Sequence, residues 1–164
     1  MGIPQTHQAW RLTQLNKDYA FSPTYPPVFC VPAAIPDDLL TEVAKFRSKA
    51  RIPVLSWIHP ETKCAILRSA QPMVGLNSRC SQDEELLLQA RKTVEDKTPL
   101  VIYDARPWLN AEANRAGGGG YENVANYDGI ELEFAGIGEC PFLRSLNPRF
   151  GGPQFDDLLS FSVS

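Results

Sequence analysis

Nucleophilic and metal-ligating capacity in this chain rests on four cysteines (Cys30, Cys64, Cys80, Cys140) and two histidines (His7, His59). A phosphatase that uses cysteine needs a thiolate and a following loop closed by arginine, Cys-x5-Arg. The loop's N–H groups and the guanidinium stabilise the transferring phosphoryl group. Cys64 and Cys140 are followed by Arg68 and Arg144 after three residues, too few to wrap a phosphate. Glu139 beside Cys140 raises a thiol pKa rather than lowering it, which counts against a reactive thiol in an unrelated hydrolase. Cys64 falls in an apolar run and is expected in the core. The cysteines form no Cys-x-x-Cys pair and no zinc spacing, and neither histidine has a partner at helical spacing. No G-x-S-x-G elbow supports a serine triad. No catalytic residue, metal or cofactor is therefore assigned.

Phosphate binding has two candidate segments. Gly117, Gly118, Gly119 and Gly120 could offer backbone N–H groups to an anion. They follow a helix rather than opening one, and no Lys-Ser/Thr completes a Walker loop, so they read first as a helix stop. Asp104-Ala105-Arg106-Pro107 stands at the carboxyl end of a strand, where open α/β sheets hold ligands. Arg106 suits a phosphate. An ion pair of Asp104 with Arg106 or Arg68 is the favoured structural alternative.

These segments need positioning elements. Residues 10–20 form a strand or strand-like arm, and Val28-Phe29-Cys30-Val31 is a short edge strand among prolines. Pro36, with Asp37 and Asp38 in the first turn, opens a helix. Leu39, Val43 and Phe46 share one face, and Arg47, Lys49 and Arg51 crowd the end before Pro53. Residues 54–58 and 64–68 read as a hairpin around His59–Lys63. Ser81-Gln82-Asp83-Glu84 reads as a capping box opening a second helix. Residues 100–103 form a strand ending at Asp104, Pro107 opens a helix through Ala116, and residues 130–134 alternate as a half-exposed strand. Helix and strand alternate, so the class is α/β.

The 164 residues are 43% apolar and 21% charged, a globular composition that fits one domain. The net charge of −3 gives no nucleic-acid footprint. No apolar run approaches a transmembrane helix, and the N-terminus is not a secretory signal, so reduced thiols and a cytoplasmic location are expected. Met1-Gly2 through Thr6 fits a loose myristoylation pattern. Pro4 stiffens it and no basic patch follows, so residues 1–9 read as a disordered leader.

Several ordered blocks resemble the myotubularins. They are Trp10-Arg11, Tyr25-Pro26, Val43-Ala44 with Phe46-Arg47-Ser48, and Arg51 through Glu61. Arg68 through Gly75, Asp83-Glu84-Glu85, Asp104 through Pro107, and Asn110 through Asn123 continue the series. The resemblance runs from about Trp10 to Phe134. It implies a partial protein-tyrosine-phosphatase-like domain: α/β, a mixed sheet with flanking helices. It also implies metal-free removal of the 3-phosphate from phosphatidylinositol 3-phosphate and phosphatidylinositol 3,5-bisphosphate. Of the family's substrate-contacting residues, one asparagine matches in place, Asn114. A second contact, an Asn-Ile pair, falls on Glu139-Cys140, where a carboxylate would repel phosphate.

The resulting expectation has three segments: the leader 1–9, an N-terminal part of a myotubularin-type phosphatase domain at 10–137, and a divergent, irregular tail at 138–164. A splice form or truncated gene would explain the change near Gly138. The resemblance implies a cysteine nucleophile that this chain does not supply, so it is expected to be inactive alone. The alternative is a non-catalytic, pseudophosphatase-like module that binds a protein or a phosphoinositide headgroup weakly through Arg68, Arg106, Asn114 and the glycines. Peripheral association with endosomal membranes would follow.

Overall fold

The structure, a computed structural model, describes residues 8–94, 98–136 and 160–163. Strands β1 (Trp10–Thr13) and β2 (Phe29–Pro32) form an antiparallel pair of their own. Helix α1 (Asp37–Phe46) follows, then a 3-10 turn at Ser48–Ala50. Strands β3 (Val54–Ile58) and β4 (Ala65–Ser69) make the expected hairpin. Helix α2 (Ser81–Arg91), β5 (Leu100–Asp104), α3 (Trp108–Ala116), β6 (Ile130–Phe134) and β7 (Ser160–Val163) complete the order.

The main sheet runs β3-β4-β7-β5-β6. β5 and β6 are parallel, while β7 is antiparallel to both β4 and β5. The sheet is thus mixed, and helices and strands alternate along the chain as the α/β reading requires. β7 lies in the stretch read as an irregular tail; its Ser-Phe-Ser-Val alternation suits a strand with backbone partners on both sides. Residues 137–159 lie outside the described residues, as do the leader and its Gly2.

α1 and α2 bury apolar faces, while α3 buries only Ala111. Leu40, Val43 and Phe46 of α1 are buried, with Leu40 and Val43 fully so. Leu40 and Val43 pack with Val31, Ile52 and Leu86. A second cluster joins Leu87 and Ala90 of α2 to Leu67, Leu100 and Ile102 of the sheet. Burying one such aliphatic side chain stabilises the fold by roughly 1.5–3 kcal/mol. Arg11 ties the start of α1 to β1 through Asp37 at 2.6 Å, where a carboxylate also complements the helix dipole.

Two local expectations are corrected. α1 ends at Phe46, not near Arg51, because Arg47 turns extended (φ −101°, ψ 134°). That turn sends its guanidinium inward, and Lys49 then takes a positive φ. The capping box does not form. Cys80 is the N-cap and makes no side-chain cap bond, and Glu84 pairs with Arg79 at 2.6 Å. Asp83, one turn into the helix, points instead to Arg47.

Candidate functional site: the carboxyl end of β5 and the glycine turn

β5 ends at Asp104, and Pro107 precedes α3, so the link between them is only a few residues long. That link brings Arg106 back over the strand end. Its guanidinium grips both oxygens of Asp104, with Nη2 donating to Oδ2 at 2.5 Å and Nε to Oδ1 at 2.9 Å. Arg106 is 3% exposed and Asp104 2%. Nη1 donates to Gln71 Oε1 at 2.5 Å, and Nη2 also donates to the Gly120 carbonyl at 2.8 Å. The favoured ion-pair reading therefore holds over the phosphate grip weighed against it for Arg106. Four of its five N–H donors go to Asp104, Gln71 and Gly120.

The glycine run stops α3, as read from the sequence. The Asn114 carbonyl accepts from Gly117 N at 3.1 Å and Gly119 N at 3.0 Å. Gly75 N donates to the Gly118 and Gly119 carbonyls. The turn therefore docks on the segment after β4. Gly120 sits at φ +140°, which side-chain-bearing residues rarely adopt, and a Cβ there would meet Val74 at 2.5 Å. Asn114 lies half-buried in the last turn of α3, directly before the glycines. Among the described residues its side-chain amide makes no hydrogen bond.

Arg68 is not gathered into this site. It is exposed on β4 and lines an apolar groove of about 520 Å³ beside Trp57 and Val28. A cleft of about 700 Å³ opens elsewhere, lined by Arg79, Cys80, Tyr121, Glu122 and residues of β6. Glu139 and Cys140 lie outside the described residues.

Cys30, Cys64 and Cys80 are free thiols. Cys64 was expected in the core but is half-exposed, because β4 begins one residue later and Cys64 closes the hairpin turn. There its carbonyl accepts from His59 N at 2.7 Å. Burial raises the Cys80 pKa despite its place at the start of α2, so the helix does not activate it. Burial pushes the Cys30 thiol up to about 11. A pKa raised on folding adds stability below the unfolded value, and that contribution fades as pH rises through the folded one. Alkylation of the native chain near pH 8 should therefore label Cys64 first among these three. Cys30 should react only after denaturation, and prompt labelling of Cys30 would contradict its burial. Among the described residues no group of three or more His, Cys, Asp or Glu could hold a metal ion. None of their helices is long and apolar enough to cross a membrane.

A third arrangement was not read from the sequence. Arg47, 2% exposed, donates to both oxygens of Asp83 at 2.7 and 2.6 Å, to Glu122 at 2.5 Å and to the Ala70 carbonyl at 3.0 Å. Tyr127 donates its hydroxyl to Asp83 at 2.8 Å. Burial disfavours the Arg47 charge, but Asp83 and Glu122 more than offset it and hold its pKa above the ordinary value. Burial, and then the Asp83 charge, raises the Tyr127 pKa. The cluster joins the end of α1, the start of α2 and the segments around Ala70 and Glu122. The only sequence signal was an arginine and an aspartate where surface charges were expected.

A mixed sheet with a helix and a glycine turn at the carboxyl end of a parallel strand defines an α/β fold, the class in which ligands bind outside the carboxyl ends of the strands. The pattern described as myotubularin-related, the myotubularin-like phosphatase domain, matches residues 1–148, and the chain belongs to this family. One relative is phosphatidylinositol-3,5-bisphosphate 3-phosphatase MTMR2 of Gallus gallus. It is 46% identical over 144 residues, covering 87% of this chain and 25% of that protein. Myotubularin of Rattus norvegicus is 46% identical, with 87% and 24% covered. Phosphatidylinositol-3,5-bisphosphate 3-phosphatase MTMR8 of Gallus gallus is 44% identical over 145 residues, with 88% and 23% covered. The chain spans about a quarter of the length of these relatives.

Proposed function

We propose that this chain forms part of a protein-tyrosine-phosphatase-like phosphoinositide 3-phosphatase domain, with Asn114 as a headgroup contact. Phosphatidylinositol 3-phosphate and phosphatidylinositol 3,5-bisphosphate are the substrates of that reading. Its main support is the 46% identity, over most of this chain, to a relative named for removing the 3-phosphate from the bisphosphate. The half-buried Asn114 at the glycine turn adds a place for a phosphorylated ring.

The chemistry of such a domain requires a thiolate to attack phosphorus and form a phospho-cysteine that water then hydrolyses. The 164 residues contain no Cys-x5-Arg, so this polypeptide by itself binds headgroup without turnover. Purified protein incubated with short-chain phosphatidylinositol 3-phosphate should release no phosphate above buffer. The same chain extended through a relative's Cys-x5-Arg loop serves as the positive arm. Release by the 164-residue chain, lost in Cys64→Ser or Cys140→Ser, would overturn the missing-loop argument. A cytoplasmic location with peripheral attachment to endosomal membranes carrying these lipids belongs to the same proposal.

A further inference from the structure

Gln71 stands between the buried ion pair and the glycine turn. Its Oε1 accepts from Arg106 Nη1 at 2.5 Å and from Gly120 N at 3.3 Å. Arg106 holds the other side of the same glycine through its carbonyl at 2.8 Å. A Cβ on Gly119 would lie 2.9 Å from Gln71 Oε1, so the amide and the turn fit closely. One residue earlier, Gly119 N donates to the Asn114 carbonyl at 3.0 Å. A continuous path thus runs from Asp104 through Arg106, Gln71 and Gly120 to the last turn of α3.

We propose that Gln71 and Arg106 are a positioning pair: they fix the glycine turn, and through it the α3 end, in the conformation that presents Asn114 to a phosphorylated inositol ring. This rests on the headgroup reading above. Neither residue touches the ring. Arg106 is buried, and the Oε1 of Gln71 is occupied by its two donors. Their contribution is to remove alternative conformations of four consecutive glycines, which would otherwise lose much conformational entropy when a ligand ordered them. A carbonyl oxygen is the part of Gln71 that this role needs, so glutamate should substitute and leucine should not.

The test uses the 164-residue chain and soluble inositol 1,3-bisphosphate, with inositol 1-phosphate as control. Nitrogen–proton NMR follows the Asn114 side-chain amide and the backbone amides of Gly117 to Gly120, with hydrogen exchange at Gly120 read separately. The wild-type chain should show saturable shifts with the bisphosphate only. In Gln71→Leu the Gly120 amide should exchange about tenfold faster and affinity should fall about tenfold, as for one lost hydrogen bond. The melting temperature and the Leu100 amide should stay near wild type. Gln71→Glu should restore both readings to within about twofold, because its carboxylate accepts the same two donors. Saturable wild-type binding, with unchanged affinity and unchanged Gly120 exchange in Gln71→Leu, would overturn the positioning pair and leave the headgroup reading standing. Gly120 exchange that fails to recover in Gln71→Glu would also count against the pair. No saturable shift in the wild-type chain, or full binding by Asn114→Ala, would overturn the headgroup reading and the presentation of Asn114 with it.

Discussion

Replacing Arg47 with methionine should cost about 3–5 kcal/mol at neutral pH, a loss that leaves a domain of this size close to unfolded. The reason is what remains behind. Asp83 is fully buried and Glu122 is 4% exposed, so two carboxylates would share an interior site with no cation. Desolvation and mutual repulsion would then both disfavour the charged forms in the folded variant. A folded-state pKa above the unfolded value favours folding below the unfolded value and penalises it as pH rises. The deficit of Arg47→Met against wild type should therefore shrink as pH falls toward about 4, the ordinary carboxyl range. Urea unfolding of both proteins at pH 7 and near pH 4.5 reads this directly. A deficit independent of pH would mean that lost packing, not stranded charge, explains the effect. Removing the second carboxylate should also relieve the variant. Glu122→Gln combined with Arg47→Met should be more stable than Arg47→Met alone, because only one buried charge is then unpaired.

Most elements were legible because their signals are local. Pro36 with Asp37 and Asp38, the apolar positions at Val43 and Phe46, and the run from Leu100 to Asp104 each mark their own element. The start of α1, and β5 and α3, accordingly fall close to where the sequence places them. The buried charge cluster was not legible, since its members are far apart in the chain. Arg47 meets Asp83 across 36 residues and Glu122 across 75. In a linear reading Arg47 looks like a helix-ending cation and Asp83 like a first-turn anion. The same interaction explains the failed boundary: α1 stops early so that Arg47 can turn inward. The capping box fails separately, because its carboxylate, Glu84, pairs with Arg79 instead. β7 was missed for a related reason. Ser160 to Val163 alternate over only four residues, too short a signal to stand alone, and their partners at residues 66–69 and 101–104 are far away in the chain.

For Arg106 the sequence set two readings against each other, and their expected results differ in kind. If the side chain gripped phosphate, Arg106→Met would spare stability and abolish headgroup binding. The geometry requires the opposite order of effects. Losing the guanidinium strands Asp104, which is 2% exposed, and leaves the Gly120 carbonyl without its donor. The expected cost is again about 3–5 kcal/mol, the range for breaking a buried pair from one side. Arg106→Lys should recover only part of it. A single ammonium cannot fork across Asp104 while also reaching Gln71 and Gly120. The decisive variant is the double, Asp104→Asn with Arg106→Met. Asparagine still accepts from the Arg106 backbone N–H, which lies 3.0 Å from Oδ1 in the native pair, but carries no charge to strand. The double variant should therefore be more stable than Arg106→Met alone, with a coupling energy of about 2–3 kcal/mol in a double-mutant cycle. Additive losses would dissolve the pair as a unit. In that case the strand end would be held by packing, and the path from Asp104 to the glycine turn would lose its anchor.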